Sequence, residues 1–582
     1  MKFRALINIC FLLLVFTACS EYLDQVPDDR QTMEEVFQKK QPSEEFLANV
    51  YSYIPDESNI WDGSPWTGNT DEVEVAWAKY AIYRINIGNW NADTAPFSQL
   101  DNYYKGIRSA TYFINHIDGN AEILKLDGQD LLDQYKAEAR FLRAYYYFLL
   151  MRQYGPVVLV GEKEIPVDAS VDDIQLARSP FDSCVSYVVN ELDKSILNLP
   201  LIQPAEKDYG RITKGIAMAL KSRLLLYAAS PEYNGNTDLA TFKNLDGTQL
   251  ISQTYDKEKW KKAADAAKAV IDLNIYQLYK DVSGNPVKSY RNVLLTPWNN
   301  ECIFVRKSNN LSTWDIHCSL RSAGGWCGLG PTQEMVDAYF MKDGKSIEES
   351  PLYSETGFTN NIYNMYINRE PRFYASILYN GKKYFGGNIT SKDSLVARFN
   401  FSGKDGKKYG GEDYSHTGYL IYKNLSPETN RLTGKNNSRP LVLFRLGEIY
   451  LNYAEAMAEY GGANSVEESL KYLNLIRERA GIPKYGSDEL PAVSGQELIN
   501  KIRAERRVEL AFEGHRWFDV RRWKIVEDMM GDMHGMDINS DGNQFYRRVV
   551  VSTHQWKKAY YWWPITQYEM DRSHKMVQNP GW

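Results

Sequence analysis

Two carboxylates in the C-terminal part of the sequence have the spacing of a catalytic pair. Glu505 and Glu509 lie four residues apart in ERRVELAFEGHRWFDVRRW, so a helix would place both on one face, as in an acid/base pair. The arginines around them are Arg503, Arg506, Arg507, Arg516, Arg521 and Arg522. Nearby cations lower the pKa of a carboxyl group, whereas a glycosidase acid needs a raised pKa. The pattern therefore predicts an ion network that fixes two helices, and the protein is not predicted to be an enzyme.

A short acidic turn is a candidate for a calcium site. In DINSDGN, Asp537, Asn539 and Asp541 occupy the first, third and fifth positions of a calcium loop, with Gly542 at the sixth. The twelfth position is Arg548, where an EF-hand needs a glutamate. Calcium is therefore a possible cofactor, and a turn rich in Asx and glycine is the alternative.

The cysteines are too few for a disulfide framework. Cys318 and Cys327 lie in the loop-like segment HCSLRSAGGWCG and could form one disulfide in an oxidising compartment. A zinc site that includes His317 is the weaker alternative, because no CxxC spacing supports it.

Tryptophans in polar segments are the main candidates for ligand binding. The chain has 14 Trp, 41 Tyr and 22 Phe, and several of the tryptophans lie among Gly, Asn, Asp and Ser. A flat, electron-rich indole can stack on the C–H face of a sugar, while neighbouring polar side chains hydrogen-bond to the hydroxyls. The predicted glycan-binding residues are Trp61, Trp66, Asp71, Trp90, Trp314 and Trp326. For any single tryptophan, packing within its own loop is the alternative.

Long helices are predicted to position these residues. Apolar periodicity predicts helices at residues 99–118, 130–153, 179–198, 211–229, 257–273, 444–460, 464–480 and 496–513. Gly461 should end one of them, and Ser494 to Glu497 predict a capping box for another. Paired helices with short turns predict a mainly α fold of tetratricopeptide-like hairpins. The long irregular stretches, 55–98, 230–255, 281–331 and 383–440, are expected to build the ligand site.

The first residues of the chain predict export and a lipid anchor. Lys2 and Arg4 precede an apolar run of 12 residues, which fits a secretory signal and is too short to span a bilayer. Ala18-Cys19 then resembles the cleavage site of a bacterial lipoprotein, with an ordinary signal peptide as the alternative. Residues 1–18 should be removed and Cys19 lipidated. The net charge of −6, without long like-charge blocks, argues against a nucleic-acid partner.

Several long motifs, in order along the chain, resemble the SusD/RagB-like family. They are EYLD at 21–24, AEARFLRAYYYFLLMRQYGPVVL at 137–159, RLGEIYLNYAEA at 445–456, LNLIRERAG at 473–481, ERRVELAFEGHRWFDVRRW at 505–523 and QNPGW at 578–582. The resemblance covers nearly the whole mature chain. It implies a single SusD-like α-helical domain over 19–582, with an N-terminal part of about 19–230 and a C-terminal part of about 256–582.

The resemblance also implies a function. Members of this family are lipoproteins on the outer face of the Bacteroidetes outer membrane, where they capture oligosaccharides or polysaccharides without cleaving them. They pass the nutrient to a SusC-like TonB-dependent transporter. Loops from the N-terminal region and from just before Pro331-Thr332-Gln333 would converge on the ligand. A peptide-binding RagB-type uptake protein or a helical-repeat scaffold is the alternative, and a glycoside hydrolase is a third.

Overall fold

The computed structural model describes residues 32–61, 64–166, 168–203, 205–384 and 395–582. The predicted signal peptide and Cys19 lie outside this part of the chain. Among the helices of the described ranges, none combines the length and the apolar character needed to span a membrane.

The secondary structure is mainly helical, with short strands between the helices. The helices are α1 (Met33–Gln38), α2 (Lys40–Ser52), α3 (Ala81–Asn86), α4 (Leu100–His116), α5 (Ala121–Leu126), α6 (Gln129–Tyr154), α7 (Val171–Ile174), α8 (Phe181–Asn198), α9 (Lys214–Ala229), α10 (Glu258–Asp272), α11 (Pro286–Asn292), α12 (Leu311–Cys318), α13 (Gln333–Ala338), α14 (Pro371–Ser376), α15 (Lys407–Gly410), α16 (Leu446–Tyr460), α17 (Ser465–Ala480), α18 (Gly495–Glu509), α19 (Arg516–Arg522), α20 (Val526–Met529) and α21 (Gln567–Arg572). The strands are β1 (Val73–Val75), β2 (Cys302–Arg306), β3 (Leu329–Pro331), β4 (Phe358–Thr359), β5 (Ile362–Tyr363), β6 (Ile377–Tyr379), β7 (Lys383–Tyr384), β8 (Leu395–Val396), β9 (Tyr419–Ile421), β10 (Leu441–Arg445), β11 (Asp532–Met536) and β12 (Arg548–Thr553).

The long helices stack on one another in chain order. Helix α4 packs on α6, α6 on α8, α8 on α9, and α9 on α10. Helix α10 then packs on α16, which in turn contacts α17 and α18. Helix α6 is buried around its whole circumference from Phe141 to Met151, because aromatic and aliphatic residues occupy all of its faces there. The eight predicted helices and the mainly α fold of stacked hairpins are confirmed.

The helix ends match the sequence prediction only in part. Gly461 has a left-handed φ of +61° and ends α16, as predicted. Helix α18 begins at Gly495, but the Ser494 side chain makes no capping hydrogen bond, so the predicted capping box is wrong. Gly495 itself has a φ of +57°, and the chain enters the helix through this turn. Helix α18 ends at Glu509, earlier than predicted, because Phe512 adopts a φ of +62°.

The chain between α10 and α16 forms several strand pairs and most of a second apolar core, whereas β2 and β10 pack on the core of the helical stack. Antiparallel pairs join β1 to β3, β2 to β10 and β6 to β9. The irregular stretch predicted at 281–331 is therefore wrong in part, since it contains α11, α12 and two strands. The pairing of β1 with β3 places the stretch 55–98 beside the stretch 281–331, and both contain tryptophans.

The two carboxylates of the apparent catalytic pair belong to a buried ion network on α18, as predicted. Glu509 contacts Arg445 at 2.7 Å, Arg372 at 3.1 Å and also Arg479. Burial alone would raise the pKa of Glu509, but these three guanidinium groups hold it well below its usual range. Glu505 contacts Arg372 at 2.6 Å and Arg477 at 2.9 Å. These arginines come from α14, β10 and α17, so the network ties α18 to three other elements.

The six arginines near Glu505 and Glu509 in sequence are not their partners. Arg506 binds Asp519, and Arg522 binds Glu455. Asp71, from the first irregular segment, accepts from both Arg507 and Arg516, at 2.7 Å and 2.8 Å. The network prediction is therefore confirmed in kind and corrected in its partners, because folding brings distant arginines to each carboxylate.

Candidate ligand-binding site

Aromatic side chains from two distant segments meet in one cluster at the surface. We define the aromatic cluster as Trp61, Trp77, Tyr80, His317 and Trp326. The ring of Trp61 lies 4.2 Å from that of His317 and 4.4 Å from that of Tyr80, measured between centroids. Trp326 meets His317 at 5.1 Å and Trp77 at 6.3 Å, in both cases nearly perpendicular. Trp61 and Trp77 are buried, whereas Trp326 is 41% exposed.

The backbone beneath the cluster explains why these rings meet. Val75 pairs with Leu329 in the β1–β3 ladder, and the N–H of Ala76 donates to the carbonyl of Gly328 at 3.1 Å. A Cβ atom on Gly328 would lie 2.3 Å from the Trp77 ring and 2.5 Å from Nδ1 of His317. Only glycine therefore allows both rings to pack against this strand, and the glycine fixes the floor of the cluster.

His317 is a neutral member of the cluster at physiological pH. Burial, and secondarily the charge of Lys79, lower its pKa to about 3. Its Nδ1 is buried and has no hydrogen-bond partner within the described ranges. The Nζ of Lys79 lies 5.4 Å from the centre of the Tyr80 ring and 5.9 Å from that of Trp77, within cation–π range. The cluster thus combines an exposed indole, packed against buried rings, with a cation at its edge.

The aromatic cluster can hold a flat, weakly polar surface against Trp326. The near-perpendicular contacts of Trp326 with Trp77 and His317 restrict its indole ring, so little side-chain conformational entropy remains to be lost on binding. An exposed indole offers its π-face to the C–H groups of a sugar ring. The structure therefore brings two of the predicted glycan-binding residues, Trp61 and Trp326, into one place, and only Trp326 is accessible.

Two other predicted glycan-binding tryptophans are core residues. Trp66 packs against Phe518 at 4.9 Å and Trp563 at 5.4 Å, and it is 3% exposed. Trp90 packs against Trp563 at 4.9 Å and Trp582 at 4.5 Å, and it is 6% exposed. Both belong to the core of the helical stack, away from the aromatic cluster. Their prediction as ligand contacts is corrected, because the rings have no free face.

Trp314 and Asp71 are also internal. Trp314 is 5% exposed and lines a small cavity of about 50 Å³. Asp71 is buried, which would raise its pKa, but Arg507 and Arg516 hold the pKa well below its usual range. Its oxygens are used by these two arginines, so Asp71 fixes the first irregular segment to α18 and α19. The predicted role of these two residues in ligand binding is therefore corrected.

The disulfide prediction is wrong. Cys318 and Cys327 are both buried free thiols. Sγ of Cys327 accepts a hydrogen bond from the N–H of Arg321 at 3.3 Å, and burial raises the pKa of both thiols. These cysteines stabilise the loop by packing. The zinc alternative also finds no support, since the described ranges contain no group of three or more His, Cys, Asp or Glu side chains suited to a metal ion.

The three side chains of the predicted calcium loop each bind a protein donor. Asp537 accepts from Arg547 at 2.6 Å, and Asn539 accepts from Lys407 at 2.7 Å. The carboxylate of Asp541 accepts from the side chain of Asn400 at 2.6 Å and from a backbone N–H at 2.9 Å. The calcium prediction is corrected in favour of the Asx-rich turn, because these oxygens already fix the turn to neighbouring segments.

The sequence prediction omitted most of the residues that support Trp326. Trp77 and Tyr80 lie in the predicted segment, and His317 lies in the segment considered for zinc, but none was predicted to contact ligand. Lys79 was also missed. The signal that could have identified them is the repeat of aromatic and cationic residues in WAKY at 77–80, directly after a short β-type run.

Comparison with known proteins agrees with this architecture. A family model described as "SusD family" matches residues 298–582, and one described as "Starch-binding associating with outer membrane" matches 21–226. A "SusD-like protein" of Bacteroides ovatus is 22% identical over 567 residues, which cover 91% of this chain and 88% of the relative. The "Starch-binding protein SusD" of Bacteroides thetaiotaomicron is 22% identical over 555 residues, covering 88% and 84%.

Solved structures give the same result for the fold. The structure named BT4246 is 27% identical, with a TM-score of 0.83, over 93% of this chain and 99% of that one. A SusD-like protein from Bacteroides fragilis is 25% identical, with a TM-score of 0.76, over 95% and 99%. The chain belongs to the SusD family, and the resemblance found in its sequence is confirmed.

Proposed function

We propose that this protein binds an oligosaccharide or polysaccharide at the aromatic cluster, with Trp326 as the exposed stacking surface. The observation that carries the proposal is the 41% exposure of Trp326 above buried aromatic rings, where two polar segments meet. The family description "starch-binding" and the name of the Bacteroides thetaiotaomicron relative support a sugar as the ligand.

The proposed binding is not coupled to cleavage. The pair of carboxylates considered for catalysis, Glu505 and Glu509, is buried among arginines. A lowered pKa suits Glu509 for an ion pair and not for proton donation to a glycosidic oxygen. The ligand would therefore leave the protein chemically unchanged.

We further propose that the protein acts at the outer membrane. Cleavage after Ala18 and lipidation of Cys19 would anchor the mature chain at the cell surface without a membrane-spanning segment. From there it would deliver captured nutrient to a SusC-like TonB-dependent transporter. The description "associating with outer membrane" of the matching family model supports this location.

Substitution of Trp326 tests the proposed binding site. Residues 20–582 would be compared with W326A and W326F by electrophoresis through gels that contain single polysaccharides, with each mixture assayed for new reducing ends. We expect the wild type to be retarded by at least one polysaccharide, W326A to lose most of the retardation, and W326F to keep part of it. Tyr568 is 63% exposed on α21 and supplies the control Y568A, which should behave as wild type.

Two outcomes would contradict the proposal. Full retardation of W326A would remove the aromatic cluster as the binding site. Release of reducing ends by the purified protein would instead indicate a glycoside hydrolase.

Peptide binding is the second candidate function. An open cleft of about 850 Å³ lies between α2, the start of α6, residues 207–211 and β2. Grooves between helical hairpins can accept extended or helical peptides. Its cations are largely paired, for example Lys40 with Asp127 and Arg211 with Glu138, which makes it less suited than the aromatic cluster to a polar ligand. Capture of peptides from a random library, unchanged by W326A, would favour this candidate.

A further inference from the structure

Two surface loops place positive charge beside Trp326. The turn at 319–327 is held by the N–H of Gly325, which donates to the carbonyl of Leu320 at 2.9 Å. The chain near Arg431 packs directly on this turn: a Cβ atom on Gly324 would lie 3.1 Å from Cβ of Arg431. The turn that carries Trp326 therefore also brings Arg321 and Arg431 to the same surface.

Arg321 has hydrogen-bonding capacity that the protein does not use. Its Nε and Nη2 atoms are both buried and have no hydrogen-bond partner in the described part of the chain. The backbone N–H of Arg321 donates to Sγ of Cys327 at 3.3 Å, which fixes the residue next to Trp326 in space. Buried N–H groups without partners cost free energy, and an anion that reached these two nitrogens would remove that cost.

The other cations around the aromatic cluster are also unpaired. Among the described residues, Lys79 and Arg431 have no carboxylate within 4.0 Å. Arg431 donates only to the side-chain oxygen of Asn436, and its Nε is buried without a partner. Elsewhere in the fold, most arginines of α18 and α19 bind carboxylates.

The nearby carboxylates offset this positive charge only in part. Asp315 lies beneath it and binds Arg439 at 2.8 Å. Asp405 accepts from the backbone N–H groups of Ser322, at 2.9 Å, and of Arg398, at 3.2 Å. Both carboxylates are buried and already have donors. Three cations, Arg321, Arg431 and Lys79, therefore lie near the exposed indole, and the carboxylates whose charges act on the neighbouring Cys327 are Asp405 and Asp413.

We infer that the ligand of the aromatic cluster is an acidic sugar, whose carboxylate or sulfate group binds Arg321 while its ring stacks on Trp326. This inference rests on the proposed function. A guanidinium can donate two parallel hydrogen bonds to a carboxylate or a sulfate, and such charge-assisted bonds are stronger than those between neutral groups. Lys79 and Arg431 would then attract the neighbouring charges of the polymer.

Matched acidic and neutral polymers test the inference. Retardation would be measured on polygalacturonate and its fully methyl-esterified form, on carrageenan and agarose, and on alginate and chondroitin sulfate. The first pair detects a carboxylate and the second a sulfate. We expect at least one acidic polymer to bind at least about tenfold more tightly than its neutral counterpart or than the neutral polymers tested. Its retardation should weaken as salt is raised, because the charges are partly exposed.

Variants of Arg321 locate the effect. R321Q should weaken binding of the acidic polymer about tenfold or more, while R321K, which keeps the charge but not the fork of donors, should lose less. The control is R108Q, an identical change at an exposed arginine on α4, which should bind as wild type. Near-UV circular dichroism of each variant would establish that the tertiary packing is intact.

The outcomes separate this inference from the proposed function. Binding of neutral polymers that is lost in W326A and unchanged in R321Q would overturn the acidic ligand and leave the binding site standing. Acidic binding that W326A retains in full would overturn the proposed site and the inference together. Failure of every acidic polymer to bind, or equal binding by wild type and R321Q, would also overturn the inference.

Discussion

Two adjacent carboxylates show how strongly the surroundings of a single residue set its chemistry. Asp71 is paired with Arg507 and Arg516, and it stays ionised. Glu72 is equally buried, yet its Oε1 accepts only a weak hydrogen bond from the N–H of Phe512 at 3.4 Å. Burial, and secondarily the charge of Asp71, raise the pKa of Glu72 to about 8. Glu72 is therefore a protonated, neutral side chain in the folded protein at neutral pH.

The substitution E72Q should remove a pH dependence of stability. Above the ordinary pKa of a glutamate, the unfolded chain releases this proton while the folded chain keeps it. The free energy of unfolding of the wild type should therefore fall, relative to E72Q, as pH rises from about 5 to 8. The slope for one group is at most about 1.4 kcal/mol per pH unit. Urea unfolding of both proteins at pH 5, 6, 7 and 8 measures this difference.

The control for E72Q is E34Q, which changes an exposed glutamate of α1. Its stability should follow the wild type at every pH. If the difference between wild type and E72Q were constant from pH 5 to 8, Glu72 would be ionised in the folded protein.

The sequence indicates the chemistry that a side chain can perform better than it indicates whether that side chain is buried. The sequence predicts that an exposed tryptophan in a polar segment would bind sugar, and Trp326 fits that description. The same criterion also selects Trp66, which is covered by Phe518 and Trp563 from the far end of the chain. A sequence window contains the neighbours of a tryptophan along the chain but not those across the fold. Neighbours along the chain therefore do not distinguish a tryptophan of a binding site from a tryptophan of the core.

At the scale of elements, helix α18 shows the same division. Its apolar period is local, and it predicts the helix to within a few residues. Its ion pairs join residues such as Arg372 and Glu509, which are 137 positions apart. The local arginines explain why a network is predicted. The arginines that actually bind Glu505 and Glu509 come from α14, β10 and α17, and only the packing of these elements around α18 selects them.

The substitution E509Q should strongly destabilise the fold. It would leave Arg445 and Arg479 buried without a carboxylate that both contact. Removal of one partner from a buried ion pair costs about 3–5 kcal/mol, and the lower end of this range applies here because Arg445 and Arg479 still contact Glu301, at 2.8 Å and 3.0 Å. We expect a loss of this size in the free energy of unfolding, measured by urea titration at pH 7.

The matched control is E497Q, at an exposed position in the first turn of the same helix. It should cost less than about 1 kcal/mol, the usual size of an interaction with a helix terminus. Similar losses in E497Q and E509Q would mean that the network contributes little beyond an exposed charge.

At the scale of the whole molecule, contacts between distant parts favour one folding unit. Helix α10 packs directly on α16, although the chain between them, from 273 to 445, forms most of a second apolar core. Asp71 and Glu72, near the N-terminal end, contact α18, α19 and the turn between them. The two segments matched by separate family models, 21–226 and 298–582, therefore share contacts across the fold.

We therefore expect the described chain to unfold as a single domain. Separation of the two segments would break the buried ion pairs of Asp71 with Arg507 and Arg516 and that of Arg223 with Glu448, so neither segment should remain folded without the other. Urea unfolding followed by far-UV circular dichroism and by tryptophan fluorescence should give one coincident transition. The tryptophans report on both apolar cores, since Trp563 lies in one and Trp61 in the other. Two separated transitions, or a folded fragment of residues 298–582, would instead indicate two independent domains.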